Sequence, residues 1–585
     1  MLRWMFGDRL EAAGCALVGV LAVLIYAWLN IGYLPSSGRD WGDDYALHLP
    51  NLLAGCYWGA HSGLALPWFS PAQCGGVPYL ADLNVAYYSL PQWLAFVMGP
   101  VPAVRATFVI FAALGACGFF VLLLQRFGAS HQAALTGAVL FLFSSFYTAR
   151  MLIGHLTFHP FALVPWVAWS LLTPVGDWRQ TIRGVVPAGL ALAYMFHAGM
   201  VHGIPPAFLA LIVIVAVHGQ LRGHRPGPWL LLGAAVVLAL AISAQRLVAA
   251  AAFLSQFPRT DYLLPGFPTL LGAAQEALVL LFWRAPYDPV RLLTNVQWTP
   301  APGEFAFSVG PAALIALIAG AHGLARRRSM PGAVWIWLAL ALLGCVPVLL
   351  NWYYEPWNAT LKTLPYFGSS SILLRWFAAY IPIVVLFAAL AVDAAVRARW
   401  ARSAASLSIV VCTVAWTVAV DERAGYDMSY DASSIQRAWQ ALASGGRVPT
   451  VKRIVAQGEA HDLDRNDALI RGESELRCYQ PTFGYRLERM PTAPLRVAPT
   501  LLETAPGLLN VKNPACYVYP TANGCVPGDH FSVADRDRVE RFLAYRPFDF
   551  AVPTTLAAAN VLTLWALLAA VIALLVSALA RQKPR

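Results

Sequence analysis

Twelve long apolar runs constrain this chain more than any other feature of its sequence. They lie at about 13–33, 103–125, 131–149, 159–173, 184–201, 204–218, 228–254, 306–325, 332–351, 373–393, 404–420 and 553–580. Most approach the roughly 20 residues that a helix needs to cross the hydrocarbon core of a bilayer. Only 12% of the residues are charged, about half the share found in a typical soluble domain. The sequence therefore predicts a polytopic α-helical membrane protein with about twelve spans.

Short basic groups between the runs orient the predicted spans. They are Arg126, then Arg179 and Arg183, then Arg222 and Arg225, then Arg326, Arg327 and Arg328, then Arg397, Arg399 and Arg402, and finally Arg581, Lys583 and Arg585. All of these groups fall on one side of the membrane, which the positive-inside rule makes cytoplasmic. Both termini are then cytoplasmic too. The same distribution accounts for the net charge of +11, so nucleic acid is not expected as a partner.

The opposite side of the predicted membrane carries the longer connecting segments. A first outer loop covers 34–102, and an outer domain covers 421–552, between a membrane module at 1–420 and a last span with a basic tail at 553–585. Because the first loop is rich in Trp, Tyr, Pro and Gly, we expect its helices to lie along the membrane–water interface. Short alternating stretches and turn dipeptides predict that the outer domain is small and of the α+β class. The stretch Thr269–Trp283 is too short to span, so it should lie flat or re-enter.

Cysteines on the outer side can form disulfides if that compartment is oxidising. Cys516 and Cys525 flank a turn-rich segment and form the first predicted pair. Cys56 and Cys74, in the first outer loop, form the second.

Two adjacent acidic residues follow the first predicted span closely. Asp43 and Asp44 come at the N-terminal end of a predicted helix that runs to about Trp58. Such a pair can act as a general base, hold a divalent cation or bind a sugar hydroxyl. The structural alternative is that Asp43 caps the helix and Asp44 complements its dipole. His48 lies one helical turn after Asp44 and can pair with it, or can simply be a packed or solvated histidine.

Arginines near the outer ends of spans are candidates for binding an anion. Arg375 lies at the outer end of a late span, and a basic residue at membrane depth is costly unless it is paired or functional. Snorkelling to the interface is the alternative for this residue. Arg259 can bind a substrate or can form a local surface pair with Asp261.

Histidine, glutamate and tyrosine side chains on the outer side complete the set of candidates. His155 and His159 are four residues apart, a spacing that suits a metal, but no third ligand accompanies them. We therefore predict that His155 contacts the donor or the acceptor rather than a metal. Glu276, on the interfacial stretch, can bind sugar hydroxyls. Tyr87 and Tyr88 belong to an aromatic, turn-rich part of the first outer loop that has no fixed chemistry when read alone.

Together these features resemble the C-type glycosyltransferases, the GT-C superfamily. The acidic pair behind the first span is part of the resemblance, as are Pro67-Trp68, the Gly-Gly-x-Pro turn that ends at Pro78, and Tyr87-Tyr88 before the second span. A final span after an outer domain is similar to the bacterial YfhO-type branch. The resemblance covers the architecture of most of the chain, whereas the sharp motifs cover about a tenth of it.

The resemblance implies an activity and a location. Members transfer a sugar from a polyprenyl-phosphate-linked donor to a lipid, glycan or protein acceptor, on the outer face of the bacterial cytoplasmic membrane. It implies that Asp43 or Asp44 is the catalytic base of an inverting transfer, and we favour Asp44. It also implies that Arg375 contacts the donor phosphate. We place His48, His155, Tyr87, Tyr88, Arg259 and Glu276 among the substrate-binding candidates, and a divalent cation, Mg²⁺ or Mn²⁺ at Asp43 and Asp44, stays open.

Two other classes of function compete with this hypothesis. A transporter or a flippase of lipid-linked glycans would be expected to show paired half-repeats and helices broken within the membrane, and the sequence gives no sign of either. A polymerase or ligase of surface glycans also acts on lipid-linked sugars, but would place its key arginines and histidines in a large later loop. A structural assembly or insertion factor is a more distant alternative.

Overall fold

The fold is mostly helical, as the apolar runs predict. The structure is a computed structural model that describes residues 2–35, 44–223, 226–257, 263–283, 289–296, 300, 302–325, 333–368, 370–420, 430–456, 466–476, 495–498, 500–502 and 507–579. The first eleven helices are α1 Leu2–Asn30, α2 Tyr45–Ser62, α3 Leu90–Met98, α4 Pro100–Leu122, α5 His131–Leu142, α6 Ser145–Leu152, α7 Val164–Leu171, α8 Trp178–His197, α9 Ile204–Arg222, α10 Gly227–Ile242 and α11 Ala244–Ser255. The later ones are α12 Leu270–Phe282, α13 Pro311–Ala325, α14 Ala333–Leu350, α15 Glu355–Thr363, α16 Tyr380–Ala395, α17 Arg399–Ala419, α18 Ser433–Ala443, α19 Ala515–Val518, α20 Arg536–Leu543 and α21 Thr554–Leu579.

Seven helical segments of the described chain are long and apolar enough to cross a membrane. They are Glu11–Tyr33, Pro100–Phe127, His131–Leu152, Ile204–Arg222, Leu374–Ala395, Arg399–Ala419 and Thr554–Leu579. The pair α10 and α11 is an eighth if it is counted as one span. The four other predicted spans coincide with α7, α8, α13 and α14, which are shorter or less apolar than this criterion requires. The count of twelve and the cytoplasmic termini stay predictions.

One feature of the span α10–α11 contradicts the sequence-based expectation that no helix is broken. The two helices are bent by 70°. Arg246, just after the break, is buried, and its guanidinium donates to the carbonyls of Phe196 and His197 at the end of α8. It also donates to the carbonyls of Asp82, at 2.9 Å, and Val85, at 2.5 Å, in the first outer loop. The bend is thus accompanied by a buried arginine that ties the broken span to the outer loop.

The first outer loop and the segment after residue 430 share one hydrophobic core. The loop contains α2, α3 and a short antiparallel ribbon of β1 Phe69–Ser70 and β2 Val77–Pro78. The ring of Phe69 lies 5.3 Å from that of Phe548 and 4.9 Å from that of Phe550. The amide of Lys512 donates to the carbonyl of Gly75 at 3.0 Å. The outer segment therefore packs directly on the loop that carries the acidic pair.

The described part of this outer segment contains both helices and short strands. β3 Arg453–Val455 pairs in parallel with β4 Glu473–Glu475, and β5 Leu508–Lys512 pairs antiparallel with β6 His530–Ser532. Helices α18, α19 and α20 accompany them. This content is of the α+β kind, while its compartment stays a prediction.

The structure confirms the predicted disulfide Cys516–Cys525 and contradicts the predicted disulfide Cys56–Cys74. Cys516 and Cys525 form a disulfide, with their Cα atoms 5.8 Å apart. Cys56 is buried and free, and its thiol donates to the carbonyl of Ala95, whereas Cys74 belongs to a disulfide with another residue. The predicted Cys56–Cys74 pair is wrong, because Cys56 points into the contact between α2 and α3.

The shared core predicts a large loss of stability on truncation of Phe69. The variant Phe69→Ala removes the ring between the loop and the outer segment and should cost about 3–5 kcal/mol, lowering the melting temperature of the purified protein in detergent. Val526→Ala, at an exposed side chain of the outer segment, is the control and should change stability by about 0.5 kcal/mol or less. Equal melting temperatures for the two variants would contradict a shared core.

Candidate active site

The start of α2 packs on the turn that follows α6. The amide of Asp44 donates to the carbonyl of Ile153 at 3.1 Å, and the Tyr45 hydroxyl donates to the carbonyl of Met151 at 2.5 Å. Gly154, directly after Ile153, has a φ of +88°, and a Cβ added there would lie 2.4 Å from the amide nitrogen of Tyr45. Only glycine allows both this backbone conformation and this close approach. The turn therefore fixes the position of Asp44.

The Asp44 carboxylate does not cap the helix that it precedes. Asp44 occupies the N-cap position of α2 but makes no side-chain hydrogen bond to the first turn. Its Oδ2 atom instead lies 3.1 Å from Nε2 of His155, and 19% of the side chain is exposed. Its other oxygen, Oδ1, makes no hydrogen bond to a described residue. Asp44 is therefore not a side-chain cap of α2. The alternative in which Asp43 caps the helix and Asp44 complements its dipole stays a prediction, because Asp43 lies outside the described residues.

The tautomer of His155 follows from its second neighbour. Nδ1 of His155 lies 3.1 Å from Nη1 of Arg150. A guanidinium can only donate hydrogen bonds, so Nδ1 must accept and must carry no proton. The ring proton is then on Nε2, where it is donated to Asp44. His155 is a neutral imidazole that connects a cation to the Asp44 carboxylate.

Glu304 joins Arg150 to a second arginine. Its Oε2 atom lies 2.8 Å from Nη1 of Arg150 and 3.1 Å from Nε of Arg375. Its Oε1 atom accepts from Nη2 of Arg375 at 2.5 Å. The side chains of Arg150 and Glu304 are 0% and 4% exposed, which a charge tolerates only when it is paired and hydrogen-bonded. With Asp44, the network holds two anions and two cations, so its formal charges balance.

Arg375 is the cation of this network that reaches the solvent-accessible side. Its side chain is 17% exposed. Two of its nitrogens bind Glu304, and Nη1 makes no hydrogen bond to any residue that the structure describes. The ring of Phe158 packs on both guanidinium groups. Its centroid lies 5.5 Å from the guanidinium carbon of Arg150 and 5.4 Å from that of Arg375. These cation–π contacts hold both guanidinium planes in place.

A strained tyrosine borders Arg375. Tyr366 has a φ of +71°, a conformation that is rare for a bulky residue and often marks a functional segment. Its carbonyl accepts from the Ser370 hydroxyl at 3.0 Å, and Lys362 donates to the carbonyl of Ser370 at 2.9 Å. Tyr366 interacts electrostatically with Arg375, and its ring lies 6.2 Å from that of His202. The connection after α15 therefore forms one wall beside the arginine.

Burial and neighbouring charges shift the pKa of each acidic group of the network in opposite directions. Burial raises the pKa of the Asp44 carboxyl, but its interactions with His155, His48 and Arg375 lower the pKa by more, so the net pKa lies below the ordinary value. For Glu304, burial also raises the pKa, and the two arginines bring it well below its usual range. Burial lowers the pKa of His48 to about 4. At neutral pH both carboxylates are ionised and His48 is neutral.

The structure brings some of the predicted site residues together and leaves others apart. Asp44, His155 and Arg375 belong to the network, and His48 lies one turn along α2 from Asp44. Asp43 and Arg259 lie outside the described residues. Their predicted roles stay predictions.

The two predicted tyrosines and Glu276 lie elsewhere. The ring of Tyr87 packs on Tyr88 at 5.0 Å, and the ring of Tyr88 packs on His197 at 5.8 Å. Glu276 is on α12, where burial raises its pKa. Among the described residues, no contact joins these three side chains to the network. A role for them in the same site needs a substrate long enough to reach them.

The histidine pair at 155 and 159 is divided between two structural environments. Nδ1 of His159 contacts the carbonyl of Leu156, and Nε2 contacts the Tyr194 hydroxyl, both at 2.7 Å. Both ring nitrogens of His159 are therefore engaged, whereas a histidine that binds a metal needs one nitrogen free for it. Within the described ranges, no three His, Cys, Asp or Glu side chains are placed to hold a metal ion.

Sequence reasoning missed Arg150. This arginine ends the third predicted span on the outer side, where the positive-inside rule disfavours it. The signal that could have identified Arg150 is its position on the predicted outer side, whereas the basic loops lie on the predicted cytoplasmic side. Its partner Glu304 lies 154 residues further along the chain, so spacing gave no indication of the pair.

No protein-family model and no curated protein matches the chain. Two solved structures of the arabinofuranosyltransferase AftD from mycobacteria are similar to it. A point mutant aligns with a TM-score of 0.42 and 17% identity over 76% of this chain and 30% of AftD. The second structure gives 0.43 and 16% identity over 76% and 29%. The chain thus spans less than a third of AftD.

The buried charges predict a strong effect of neutralising Glu304. Glu304→Gln leaves two guanidinium groups without their carboxylate and should cost about 3–5 kcal/mol of stability, measured as melting temperature in detergent. The matched control is Glu540→Gln, whose exposed pair with Arg536 should contribute about 1 kcal/mol or less. Similar losses for both variants would mean that Glu304 is not a buried link.

The pH dependence of this effect has a defined sign. Because folding lowers the pKa of Glu304, its contribution is present above the unfolded pKa of about 4.3 and disappears as the pH falls through the lower folded value. The difference in melting temperature between wild type and Glu304→Gln should stay constant from about pH 7 to about pH 5 and narrow only below about pH 4. A difference that narrows already between pH 7 and pH 5 would contradict the pairing.

Proposed function

We propose that this chain is an inverting membrane glycosyltransferase that uses a polyprenyl-phosphate-linked sugar. One observation carries the proposal. An ionised carboxylate with an open oxygen, Asp44, and a guanidinium with an open N–H edge, Arg375, belong to one rigid network. A base and a cation are the two groups that a transfer of this kind requires.

The proposed step has a base on one side of the sugar and a cation on the other. The acceptor hydroxyl attacks the anomeric carbon, and the new C–O bond forms as the bond between that carbon and the phosphate oxygen breaks. The hydroxyl proton passes to Oδ1 of Asp44, and the electron pair of the broken bond leaves on the phosphate. Nη1 of Arg375 donates to this phosphate and stabilises its charge. The configuration at the anomeric carbon is inverted.

His155 is proposed to position the base. Its Nε2–H holds Oδ2 of Asp44, while Arg150 holds its Nδ1. The carboxylate is therefore fixed in one orientation, with Oδ1 available for the proton. This arrangement reduces the reorganisation that the step requires.

The donor, the acceptor class and the location come from the GT-C resemblance. We propose a polyprenyl-phosphate-linked donor and a lipid, glycan or protein acceptor on the outer face of the bacterial cytoplasmic membrane, and membership of the YfhO-like branch. Arg375 is compatible with any phosphate-linked donor. The proposal therefore specifies the donor's phosphate more firmly than its sugar.

A divalent cation is not part of the proposed mechanism. Mg²⁺ prefers octahedral oxygen ligands, whereas Glu304 is engaged by two arginines and Asp44 has His155 beside it. The described residues leave a single open carboxylate, which does not suit such an ion. A cation that also uses Asp43 stays a prediction.

The transporter alternative gains one observation, the bent pair α10–α11. Discontinuous helices are common at the substrate sites of transporters. Here, however, Arg246 fixes the bend by donating to backbone carbonyls of α8 and the outer loop. These contacts favour a static element over a moving gate. A surface-glycan polymerase or ligase would use the same lipid-linked chemistry and is a variant of the proposal.

The proposal predicts loss of transfer on neutralising Asp44. In cells that lack the gene, Asp44→Asn should fail to restore the sugar that wild type restores, as measured by mass spectrometry of cell-envelope glycans. Loss of a general base reduces a rate by about 10²–10⁴-fold. The control is Asp177→Asn, because Asp177 does cap its helix, accepting from the amide of Gln180, and asparagine caps equally well. Normal glycans with Asp44→Asn would remove the base from the proposal.

A further inference from the structure

The first turn of α2 contains a carbonyl whose usual partner within the helix is missing. Pro50 lies inside α2 and has no amide hydrogen, so it cannot donate to the carbonyl four residues earlier. That carbonyl belongs to Ala46, which is buried. Buried carbonyls in proteins are nearly always paired, because an unpaired one costs free energy. The turn that begins directly after Asp44 therefore needs a donor from another part of the molecule.

The outer segment supplies this donor. The amide of Asn466 donates to the carbonyl of Ala46 at 3.3 Å. Asn466 is 1% exposed and is followed by a turn of 3₁₀ helix, Ala468–Arg471, and then by β4. The contact is thus made by a packed part of the outer segment. It takes the place of the hydrogen bond that Pro50 cannot form.

The start of α2 is consequently held from two sides. Asp44 and Tyr45 are bound by the end of α6 and the turn after it, through the amide of the first and the hydroxyl of the second. The next residue, Ala46, is bound by Asn466 of the outer segment. Three consecutive residues at the base therefore each have a hydrogen bond to a distant part of the chain.

The far end of α2 also contacts the outer segment, but in a different way. The Ser62 hydroxyl donates to the carbonyl of Tyr545 at 2.8 Å, and Nδ1 of His61 donates to the carbonyl of Ala544 at 2.5 Å. These are side-chain contacts, and the backbone of the helix is complete there without them. Only the contact at Ala46 replaces a missing hydrogen bond of the helix backbone.

The backbone of this first turn determines where the Asp44 carboxylate lies. The carbonyl of Asp44 accepts from the amides of Leu47 and His48, at 3.1 and 2.9 Å, so Asp44 belongs to the turn that Asn466 completes. A general base has to lie within hydrogen-bond reach of the proton that it removes. A displacement of about 1 Å can reduce a rate about 100-fold. Fraying of this turn would therefore affect the transfer directly.

We infer that the outer segment positions the proposed base, because the amide of Asn466 completes the turn of α2 that carries Asp44. The inference rests on the proposed function, which makes Asp44 the base. Asn466 is then a positioning residue that acts through Ala46. The outer segment has a part in catalysis through this contact, without a ligand site of its own.

Two substitutions of the same residue test the contact. In cells that lack the gene, the initial rate at which the missing sugar reappears after induction is measured per amount of protein in the membrane. Asn466→Pro removes the amide hydrogen and should lower this rate about tenfold or more. Asn466→Ala removes the side chain but keeps the amide, so it is the matched control and should retain most of the rate.

A substitution in α2 should rescue the loss. Pro50→Ala gives residue 50 an amide that can donate to the carbonyl of Ala46 within the helix. The double variant Pro50→Ala with Asn466→Pro should recover most of the wild-type rate, which a general defect of the outer segment would not allow. Ser62→Ala, which loses a contact at the far end of α2, should transfer at the wild-type rate.

Hydrogen exchange tests the same contact without any change at Asn466. The purified full chain in detergent is compared with Pro50→Ala, and exchange is followed by mass spectrometry in peptides that cover 45–52. The internal donor of Pro50→Ala should slow exchange of the first turn about tenfold. Unchanged exchange, equal transfer rates for Asn466→Pro and Asn466→Ala, or a loss with Ser62→Ala as large as that with Asn466→Pro would each overturn the inference.

The variant Asp44→Asn separates this inference from the proposed function. It leaves the backbone contacts of α2 in place, so its exchange pattern should match that of the wild type. If Asp44→Asn abolishes transfer while Asn466→Pro transfers normally, the inference fails and the glycosyltransferase proposal stands. If Asp44→Asn transfers normally while Pro50→Ala slows exchange as expected, the proposed base fails and the contact between Asn466 and α2 stands.

Discussion

The site depends on one carboxylate held between two guanidinium groups. Glu304 binds Arg150 through one oxygen and Arg375 through both. An isolated charge cannot stay buried at such a depth, but paired charges with complete hydrogen bonds can. Once Glu304 fixes both arginines, Arg150 orients His155, and His155 orients Asp44. The geometry of the proposed base and of the proposed phosphate contact therefore has a common origin.

The fold brings these groups together from four distant parts of the chain. Asp44 directly precedes the first outer helix. Arg150 lies in α6 and His155 in the turn that follows it, and Glu304 and Arg375 precede two later helices. Gly154 allows the first two parts to touch. The outer segment shares its core with the first loop, so it supports the loop that carries the base.

Much of the fold could be predicted from the sequence because its signals are local. Apolar length indicates helices, and the start of α2 follows from an acidic residue before an apolar stretch. The position of Arg375 stood out because charge is rare in a span. The contacts between these residues could not be predicted, since Glu304 contacts Arg150 across 154 residues and no periodicity of the sequence indicates that contact. The wrong Cys56–Cys74 pairing and the unpredicted bend at Arg246 have the same cause. Tertiary contacts determine both, and such contacts leave no local signal in the sequence.

The central claim is that Arg375 is held open for a lipid-linked phosphate while Asp44 serves the acceptor. The most direct measurement is the affinity of the purified full chain for a polyprenyl phosphate without sugar. Arg375→Gln removes a charge-assisted contact and should weaken binding by about tenfold or more. Asp44→Asn removes a nearby negative charge, so it should leave binding unchanged or tighter. Equal affinities for wild type and Arg375→Gln, or a loss confined to Asp44→Asn, would contradict the account.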